Sequence, residues 1–252
     1  MPINYSRKLV GRKRNPDINR HLGFLLTLVA GAINAGGFLA VKQYTSHMTG
    51  IVSAMADNLA LGAYDLVLTG LGALLSFLLG AMCTAFMVNY TKRRTMHSTY
   101  ALPLLLEASL LLCFGLLGPR LSEIDGLFVS LTVMLLSFIM GLQNALISKL
   151  SHGVIRTTHI TGIVTDIGIE LGKLVYWNCS PFDEDRRVVA NRDRLRVLGL
   201  LLACFFVGGV AGALGFNRLG YVSTVPLALV LVTLAIAPAA DDAIVFFRWR
   251  FR

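Results

Sequence analysis

The chain has 252 residues, of which 55% are hydrophobic and only 15% are charged, and its mean hydropathy is +0.68. An ordinary soluble domain has about a quarter of its residues charged, so this composition excludes that class and indicates an integral membrane protein. The formal net charge of +9 fits the basic residues that mark the cytoplasmic ends of membrane spans. We therefore expect the lipid bilayer, and no nucleic acid, as a partner.

In chain order, residues 1–20 form a basic segment, residues 21–118 a first half and residues 119–252 a second half. Six apolar runs approach the length of about 20 residues that crosses a bilayer. We predict transmembrane helices at 21–41, 66–90, 101–117, 126–148, 197–216 and 221–247. Two shorter and more polar segments, 46–61 and 158–172, are predicted to be re-entrant half-helices. The charged stretch 174–196 is predicted to be a cytoplasmic loop.

The distribution of basic residues favours the re-entrant assignment. With both short segments re-entrant and the N-terminus inside, 20 of the 23 lysines and arginines lie on the cytoplasmic side. With both segments crossing, only 16 do. The positive-inside rule prefers the first arrangement, which puts both chain termini in the cytoplasm.

The string YTSHMTGIV at residues 44–52 returns as RTTHITGIV at residues 156–164. Each copy follows an Asn-Ala pair late in a predicted span, at Asn34 and Asn144. Three crossings per half turn the second copy upside down. We therefore predict an all-α membrane protein built as an inverted 3+3 repeat, with its two-fold axis in the membrane plane.

A candidate solute site lies at the two half-helix starts. Hydroxyl side chains are good helix N-caps, and a helix N-terminus inside the membrane offers free amides and a positive dipole end. We expect the two starts to face each other near the midplane and to hold an anion, a weak acid or a polar neutral solute. Gly50 and Gly162 would permit close approach. The remaining candidates for solute binding are Thr45, Ser46, His47, Thr49, Thr157, Thr158, His159 and Thr161.

Proton coupling is the second predicted role. Histidine changes charge near neutral pH, so His47 and His159 either carry protons or are buried imidazoles with a purely structural role. Asp166 and Glu170 share a helical face with His159, whereas Ala54 and Asn58 replace them in the first half, with Asp57 adjacent. Glu170 could instead be a solvated helix end.

Three further polar residues lie within predicted spans. Glu107 must pair, take up a proton or face water, and pairing with a histidine is one alternative. Asn34 and Asn144 are interpreted as hydrogen-bonding groups between packed helices. We treat Glu107 as a further proton-coupling candidate.

The sequence contains no P-loop, no GxSxG and no HExxH motif, so we expect no enzymatic activity. The four cysteines include no CxxC pair, and the two histidines His152 and His159 lack a third ligand nearby. We expect neither a metal nor a cofactor.

The Asn-Ala pair followed by TSHMTG, and the second copy TTHITG, resemble the YoaK-like family of bacterial membrane proteins. The resemblance covers residues 21–247 and implies a multi-span protein of the bacterial inner membrane, in a family without an established biochemical function. The family motif commonly continues as TGN, whereas Ile51 and Ile163 follow the glycines here. If the family asparagine touches a solute, the isoleucines alter that contact.

Two functions follow as hypotheses. The first is a small-solute transporter or channel, proton-coupled and handling an anion or weak acid, with its site between the half-helix starts. The alternative is a non-transporting membrane sensor or partner subunit that docks through residues 174–196. The oligomeric state, including a homo-oligomer, stays open.

Overall fold

The computed structural model describes residues 9–11, 16–94, 96, 98–121, 127–151, 153, 155–176 and 187–250. Within these residues the chain is helical and contains no strand. The helices are α1 (Pro16–Val41), α2 (Met48–Ala60), α3 (Tyr64–Arg93), α4 (Ala101–Leu121), α5 (Leu127–Leu150), α6 (Ile160–Val175), α7 (Arg192–Leu219) and α8 (Thr224–Arg250). A short 3₁₀ turn, Gly220–Ser223, joins the last two. Each of the eight predicted apolar segments is thus a helix, with ends that differ by a few residues.

Five segments are long and apolar enough to cross a membrane by length and composition: Asp17–Val41, Tyr64–Arg93, Ala101–Pro119, Ser130–Ser151 and Arg192–Asp242. The last of these contains both α7 and α8. The chain is therefore a multi-span membrane protein. The loop predicted at 174–196 is described only at its two ends, and residues 177–186 lie outside the described residues.

The hydrophobic core lies between α1, α4, α5 and α8. Leu26, Leu104, Ile139 and Leu231 are among its fully buried members. Helices α3 and α7 flank this centre and expose rows of large apolar side chains, as lipid-facing helices do. These rows include Leu75, Leu78, Met82 and Phe86 on α3, and Leu200, Phe206, Val210 and Leu214 on α7.

The principal helix contacts recur between sequence-related segments. Helix α1 packs on α7, and α5 packs in the same way on α3. A Cβ added at Gly31 would clash with the carbonyl oxygen of Phe205, and one added at Gly141 would clash with that of Phe77. Gly31 and Gly141 occupy equivalent places in the two halves, as do Phe205 and Phe77.

Each of these two helix pairs has a second close contact, in which the glycine lies on the other helix of the pair. A Cβ at Gly80 would clash with the carbonyl oxygen of Phe138, and one at Gly208 with that of Leu28. Small-residue contacts of this kind are what allow membrane helices to approach closely. Four backbone-to-backbone contacts therefore set the distances in both helix pairs.

The short helices pack each against the following long helix of the same half, α2 on α3 and α6 on α7. Helix α6 buries Ile163 and Glu170 but exposes Val164, Ile169 and Leu171. A helix with a buried carboxylate and exposed apolar side chains reverses the pattern of a soluble protein surface. This surface suits contact with lipid.

The close glycine contacts can be tested by substitution. Gly141→Ala should lower the free energy of unfolding by about 1–3 kcal/mol, because the added methyl group must displace the carbonyl of Phe77. Gly199→Ala is the matched control, since nothing lies within 4 Å of its added Cβ. It should be neutral or stabilising by up to about 1 kcal/mol. Thermal unfolding of the purified protein in detergent measures both, and equal melting temperatures would contradict the packing described here.

Candidate functional site

The two half-helix starts are held by the asparagines of the preceding long helices. Ser46 donates its hydroxyl to Asn34 Oδ1 at 2.7 Å, and Thr158 donates to Asn144 Oδ1 at 2.7 Å. Thr157 reaches the same oxygen at 3.4 Å. Both asparagines therefore anchor the loop that leads into a half-helix, instead of the neighbouring helix that the sequence predicted.

The predicted hydroxyl caps are not formed. The N-cap residues are His47 for α2 and His159 for α6, and neither helix start has a side-chain cap hydrogen bond. Ser46 and Thr158 are committed to the asparagines, and buried Thr45 has no hydrogen-bond partner. Thr49 and Thr161 follow the caps and are exposed. The first-turn amides of α2 and α6 thus carry no side-chain cap.

The three-residue spacing of histidine and glycine is the same in both copies of the string, and it has a steric cause. A Cβ added at Gly50 would lie 2.6 Å from His47 Nδ1, and one added at Gly162 would clash with His159 Nδ1. Each imidazole therefore folds back over the first turn of its half-helix. A side chain at either glycine would thus collide with the histidine ring, while Gly50 and Gly162 themselves line the two cavities.

Ile51 and Ile163 follow these glycines and are both only 4% exposed. Ile163 belongs to the main core, and Ile51 belongs to a smaller cluster with Val41, Ala73 and Val133. Where the family motif commonly has asparagine, this chain thus has an apolar side chain packed at the base of each half-helix start.

Each half-helix start opens on its own cavity. The cavity beside α6 has a volume of about 1160 Å³ and the cavity beside α2 about 330 Å³. The two share no lining residue among the described positions. Among the described residues the two starts thus open on separate cavities, and the single site expected between them stays a prediction.

The antiparallel packing of α1 and α5 explains this separation. Gln143 Nε2 donates to the carbonyl oxygen of Leu26 at 3.3 Å, which places these two residues at the same level. From this level Asn34 lies eight residues along α1, and Asn144 lies one residue along α5 in the opposite direction. At 1.5 Å per residue the two anchors are about 13 Å apart along the helices.

The larger cavity, which we call the α6 cavity, is polar and rich in cations. Its polar lining residues are Asn19, Arg20, Ser151, Arg156, His159, Thr161, Thr165, Asp166, Asn191, Asp193 and Arg194. The starts of α6 and α7 both open on it, and Asn191 caps α7 by accepting from the Arg194 amide at 2.9 Å. Three arginines and two positive helix ends thus surround one space.

Two contacts inside the α6 cavity define its electrostatics. Arg156 Nη1 lies 3.4 Å from His159 Nδ1. A guanidinium can only donate, so in this contact Nδ1 is placed as the acceptor. Arg194 Nη2 donates to Asp166 Oδ2 at 2.9 Å, which joins the start of α7 to α6.

The cavity beside α2, the α2 cavity, lacks these charges. Its lining includes Lys42, Gln43, Tyr44, His47 and Asn58. The ring of Tyr44 stacks on Phe38 with a centroid distance of 4.5 Å. Position by position along the repeat, Tyr44 replaces Arg156, Ala54 replaces Asp166, Asn58 replaces Glu170 and Leu66 replaces Arg194. The two halves therefore share a backbone but not an electrostatic character.

Glu170 is the buried centre of the contact between α6 and α7. Its side chain is only 2% exposed and accepts hydrogen bonds from the Asn191 amide at 2.7 Å and from Lys173 Nζ at 2.9 Å. Arg194 lies 4.0 Å away. The Asn191 amide, followed by Lys173, holds the pKa of Glu170 below its ordinary value. Glu170 is thus not a solvated helix end.

Two other predicted carboxylates lie apart from the cavities. Asp57 is exposed on α2 and does not line the α2 cavity. Glu107 is completely buried in α4, and neither carboxyl oxygen has a hydrogen-bond partner. The predicted alternative of a Glu107–histidine pair is therefore wrong.

Sequence reasoning missed the arginines. Arg156 is the first residue of the second string, where the first copy has Tyr44, and that difference was the available signal. Arg20 and Arg194 lie near the N-terminal ends of α1 and α7, and only the tertiary fold brings them to the same cavity. Among the described residues no group of three or more metal-ligating side chains is present.

Taken together, the apolar helices define a multi-span membrane protein in which each copy of the repeated string lies beside a cavity. The chain belongs to the family described as "Protein of unknown function (DUF1275)", which matches residues 22–237. It is 26% identical over 191 residues to the UPF0700 transmembrane protein YoaK of Bacillus subtilis (strain 168), covering 75% of this chain and 80% of that protein. The YoaK-like resemblance is confirmed. No solved structure matches the chain.

The contact of Glu170 with α7 gives a pH-dependent stability. Because the folded-state pKa is lowered, this contribution is complete above the unfolded pKa of about 4.3 and is lost as the pH falls through the lower folded value. Glu170→Gln should therefore lower the melting temperature at pH 7, and the difference from the wild type should shrink as the pH falls below about 4.

The matched control is Asp193→Asn, which removes an exposed carboxylate whose pairing with Arg196 spans 3.8 Å. An exposed pair of this kind contributes little. A pH-independent effect of Glu170→Gln, or an equal effect of Asp193→Asn, would argue against the buried contact as the cause.

Proposed function

We propose that the protein is a transporter or channel for a small anion or weak acid, and that the α6 cavity is its cytoplasmic binding site. The observation that carries this proposal is the convergence of Arg20, Arg156 and Arg194 with two helix N-termini on one cavity. Guanidinium groups and helix amides are the donors that proteins use for carboxylates and phosphates. The volume of about 1160 Å³ is ample for a small solute.

The proposed architecture is an inverted 3+3 repeat with six crossings. Helices α7 and α8 count separately, because the candidate span Arg192–Asp242 has 51 residues, more than twice the length needed to cross. Helices α2 and α6 have 13 and 16 residues, which is too short for a typical crossing. The reciprocal glycine contacts support the pseudo-two-fold relation between the halves. The distribution of basic residues supports both termini in the cytoplasm of a bacterial cell.

Binding of an anion would compete with the existing partners of the arginines. Asp166 occupies Arg194, and the Nδ1 atom of His159 faces Arg156. An arriving carboxylate or phosphate that takes both arginines would release Asp166 and His159, and each could then accept a proton. In this proposal His159 and Asp166 couple a proton to the solute, while His47 lies in the α2 cavity, where its half has no counterpart of Asp166.

The alternative hypothesis is a sensor or partner subunit that docks through residues 174–196. Only the ends of that stretch are among the described residues. No contact of these described ends favours docking over transport. The transport experiment below tests this alternative, because a sensor or partner subunit would not move the solute.

The re-entrant arrangement is tested by cysteine labelling. Leu61 is 81% exposed at the end of α2, and Val189 is 71% exposed before α7. In a cysteine-free background, Leu61→Cys should react with a membrane-impermeant maleimide from the periplasm, whereas Val189→Cys should react only with a permeant reagent. If α2 crossed the membrane instead, Leu61→Cys would be protected from the impermeant reagent, and the six-crossing arrangement would fall. Val189 is cytoplasmic in either arrangement and is therefore the control.

The transport proposal is tested with proteoliposomes on a solid-supported membrane, with acetate, benzoate, inorganic phosphate and sulfate as probes. We expect a current with at least one of these anions. Arg156→Gln should raise its half-saturating concentration roughly tenfold or more, because a charge-assisted contact is lost. Arg218→Gln is the control, since Arg218 is exposed and does not line the α6 cavity.

The same measurement separates the two histidines. His159→Gln should remove the pH dependence of the current between about pH 5 and pH 8, because glutamine keeps a hydrogen bond but cannot gain a charge. His47→Gln should leave that dependence in place. Absence of both an anion current and an anion-dependent pH change inside the vesicles would favour the non-transporting alternative, because a monoanion carried with one proton moves no net charge. Equal effects of Arg156→Gln and Arg218→Gln would reduce the arginines to a general surface charge.

A further inference from the structure

Both glutamates among the described residues, Glu107 and Glu170, are buried, and their surroundings are opposite. Glu170 is 1% exposed and has an amide, a lysine and an arginine around its carboxylate. Glu107 is 0% exposed, and neither of its oxygens has a hydrogen-bond partner. A buried charge needs a partner, because removal from water costs more than an isolated carboxylate can recover. Burial without a partner therefore favours the neutral form of Glu107, whereas the partners of Glu170 favour its carboxylate.

Among the residues that the structure describes, the α8 side chains at the level of Glu107 carry no compensating charge. Helices α4 and α8 run antiparallel: Gly115 lies against Thr224, and Ser98 donates its amide to Asp242 at 2.8 Å. By interpolation Glu107 lies at the level of residues 232 and 233 of α8. The buried α8 residues around this level are Ala228, Leu231, Leu234 and Ala235, all of them apolar.

The other helices that pack on α4 offer no counter-charge at that depth. Glu107 lies six residues after the start of α4, about 9 Å along the helix. The charged side chains described on α3 and α5 lie at or near the helix ends: Asp65, Lys92, Arg93 and Lys149. On α8, Asp241 and Asp242 lie eight to ten residues beyond the level of Glu107, which is about 13 Å along the helix. Of these charged groups, Lys149 donates to Asn89, and Asp242 accepts from Ser98. The second half has no counterpart of this acid. Glu107 lies four residues after Pro103, and the residue four positions after the equivalent Pro226 is Val230.

We propose that Glu107 is an occluded proton-binding site: its carboxyl group is neutral at physiological pH, sealed from water in the helix bundle, and exchanges its proton only when α4 and α8 separate. Ionisable residues within membrane spans commonly serve proton movement, and a sealed neutral carboxyl is the loaded form of such a site. The proposal stands on the burial of Glu107 alone and does not require the α6 cavity to bind an anion. It adds a proton site that is separate from His159 and Asp166.

Infrared spectroscopy of the protein in nanodiscs at pH 7 tests the protonation state without any ligand. The wild-type-minus-Glu107→Gln difference spectrum should show a protonated carboxyl C=O band and no carboxylate bands. Glu170→Gln is the matched control, and its difference spectrum should show lost carboxylate bands instead. Carboxylate bands lost in Glu107→Gln would overturn the proposal.

Two further measurements keep the proposal falsifiable. Glu107→Gln replaces one neutral group by another of similar shape, so its melting temperature at pH 7 should match that of the wild type, and a large decrease would indicate an ionised, paired glutamate. If Glu107→Gln fails to fold, Glu107→Asp retains an acid and should retain a protonated band. After transfer to D₂O, the isotope shift of the Glu107 C=O band should take longer than the mixing of the solvents, because the carboxyl proton is sealed from water. An immediate shift would show that the site is open to water.

Discussion

The close approach of helix backbones at four glycines is the constraint on which the rest of this structure depends. Gly31 and Gly208 bring α1 onto α7, and Gly80 and Gly141 bring α3 onto α5. In a bilayer, apolar side chains gain little from leaving lipid, so helices associate through tight packing and hydrogen bonds. With α7 and α3 so close, each short helix can rest against a long helix and still begin beside the preceding one. The glycines therefore fix the positions of both cavities.

The depth of each half-helix start follows from this packing. The chain leaves α1 at Val41, turns at Lys42 and returns along the helix until Ser46 meets Asn34. Lys42 adopts a left-handed conformation with φ 56°, which is costly for a residue with a side chain. The second half repeats the return, with Ser151 bonding to Ile155 and Thr158 to Asn144. Both loops are partly buried and line the cavities, which the proposed re-entrant arrangement requires of non-helical backbone.

Helix positions and the repeated string could be predicted from the sequence because apolar length and internal similarity are local properties. The role of the string could not, because it depends on which atoms the fold brings together. His47 and Gly50 look like separate functional residues in the sequence, yet the ring of one fills the space left by the other. Likewise, Arg194 is nearly 40 residues from Arg156, and only the packing of α7 on α6 brings both to one cavity. The antiparallel offset of α1 and α5, which places the two starts at different levels, also depends on tertiary packing and is not visible in the sequence.

The differences between the halves carry more information about function than their similarities. A shared backbone needs the glycines, asparagines and histidines in both copies, and both copies have them. It does not need Arg156, Asp166, Glu170 and Arg194 in only one copy, nor Glu107 in the other. Charges at these depths destabilise a membrane protein unless they are paired or protonated, so a neutral residue at the equivalent position is the less costly solution. The first half has neutral residues where the second half has Asp166, Glu170 and Arg194. The second half has Val230 in α8 where the first half has Glu107. Each half therefore contributes one ionisable centre to a common scaffold, the α6 cavity in the second half and Glu107 in the first.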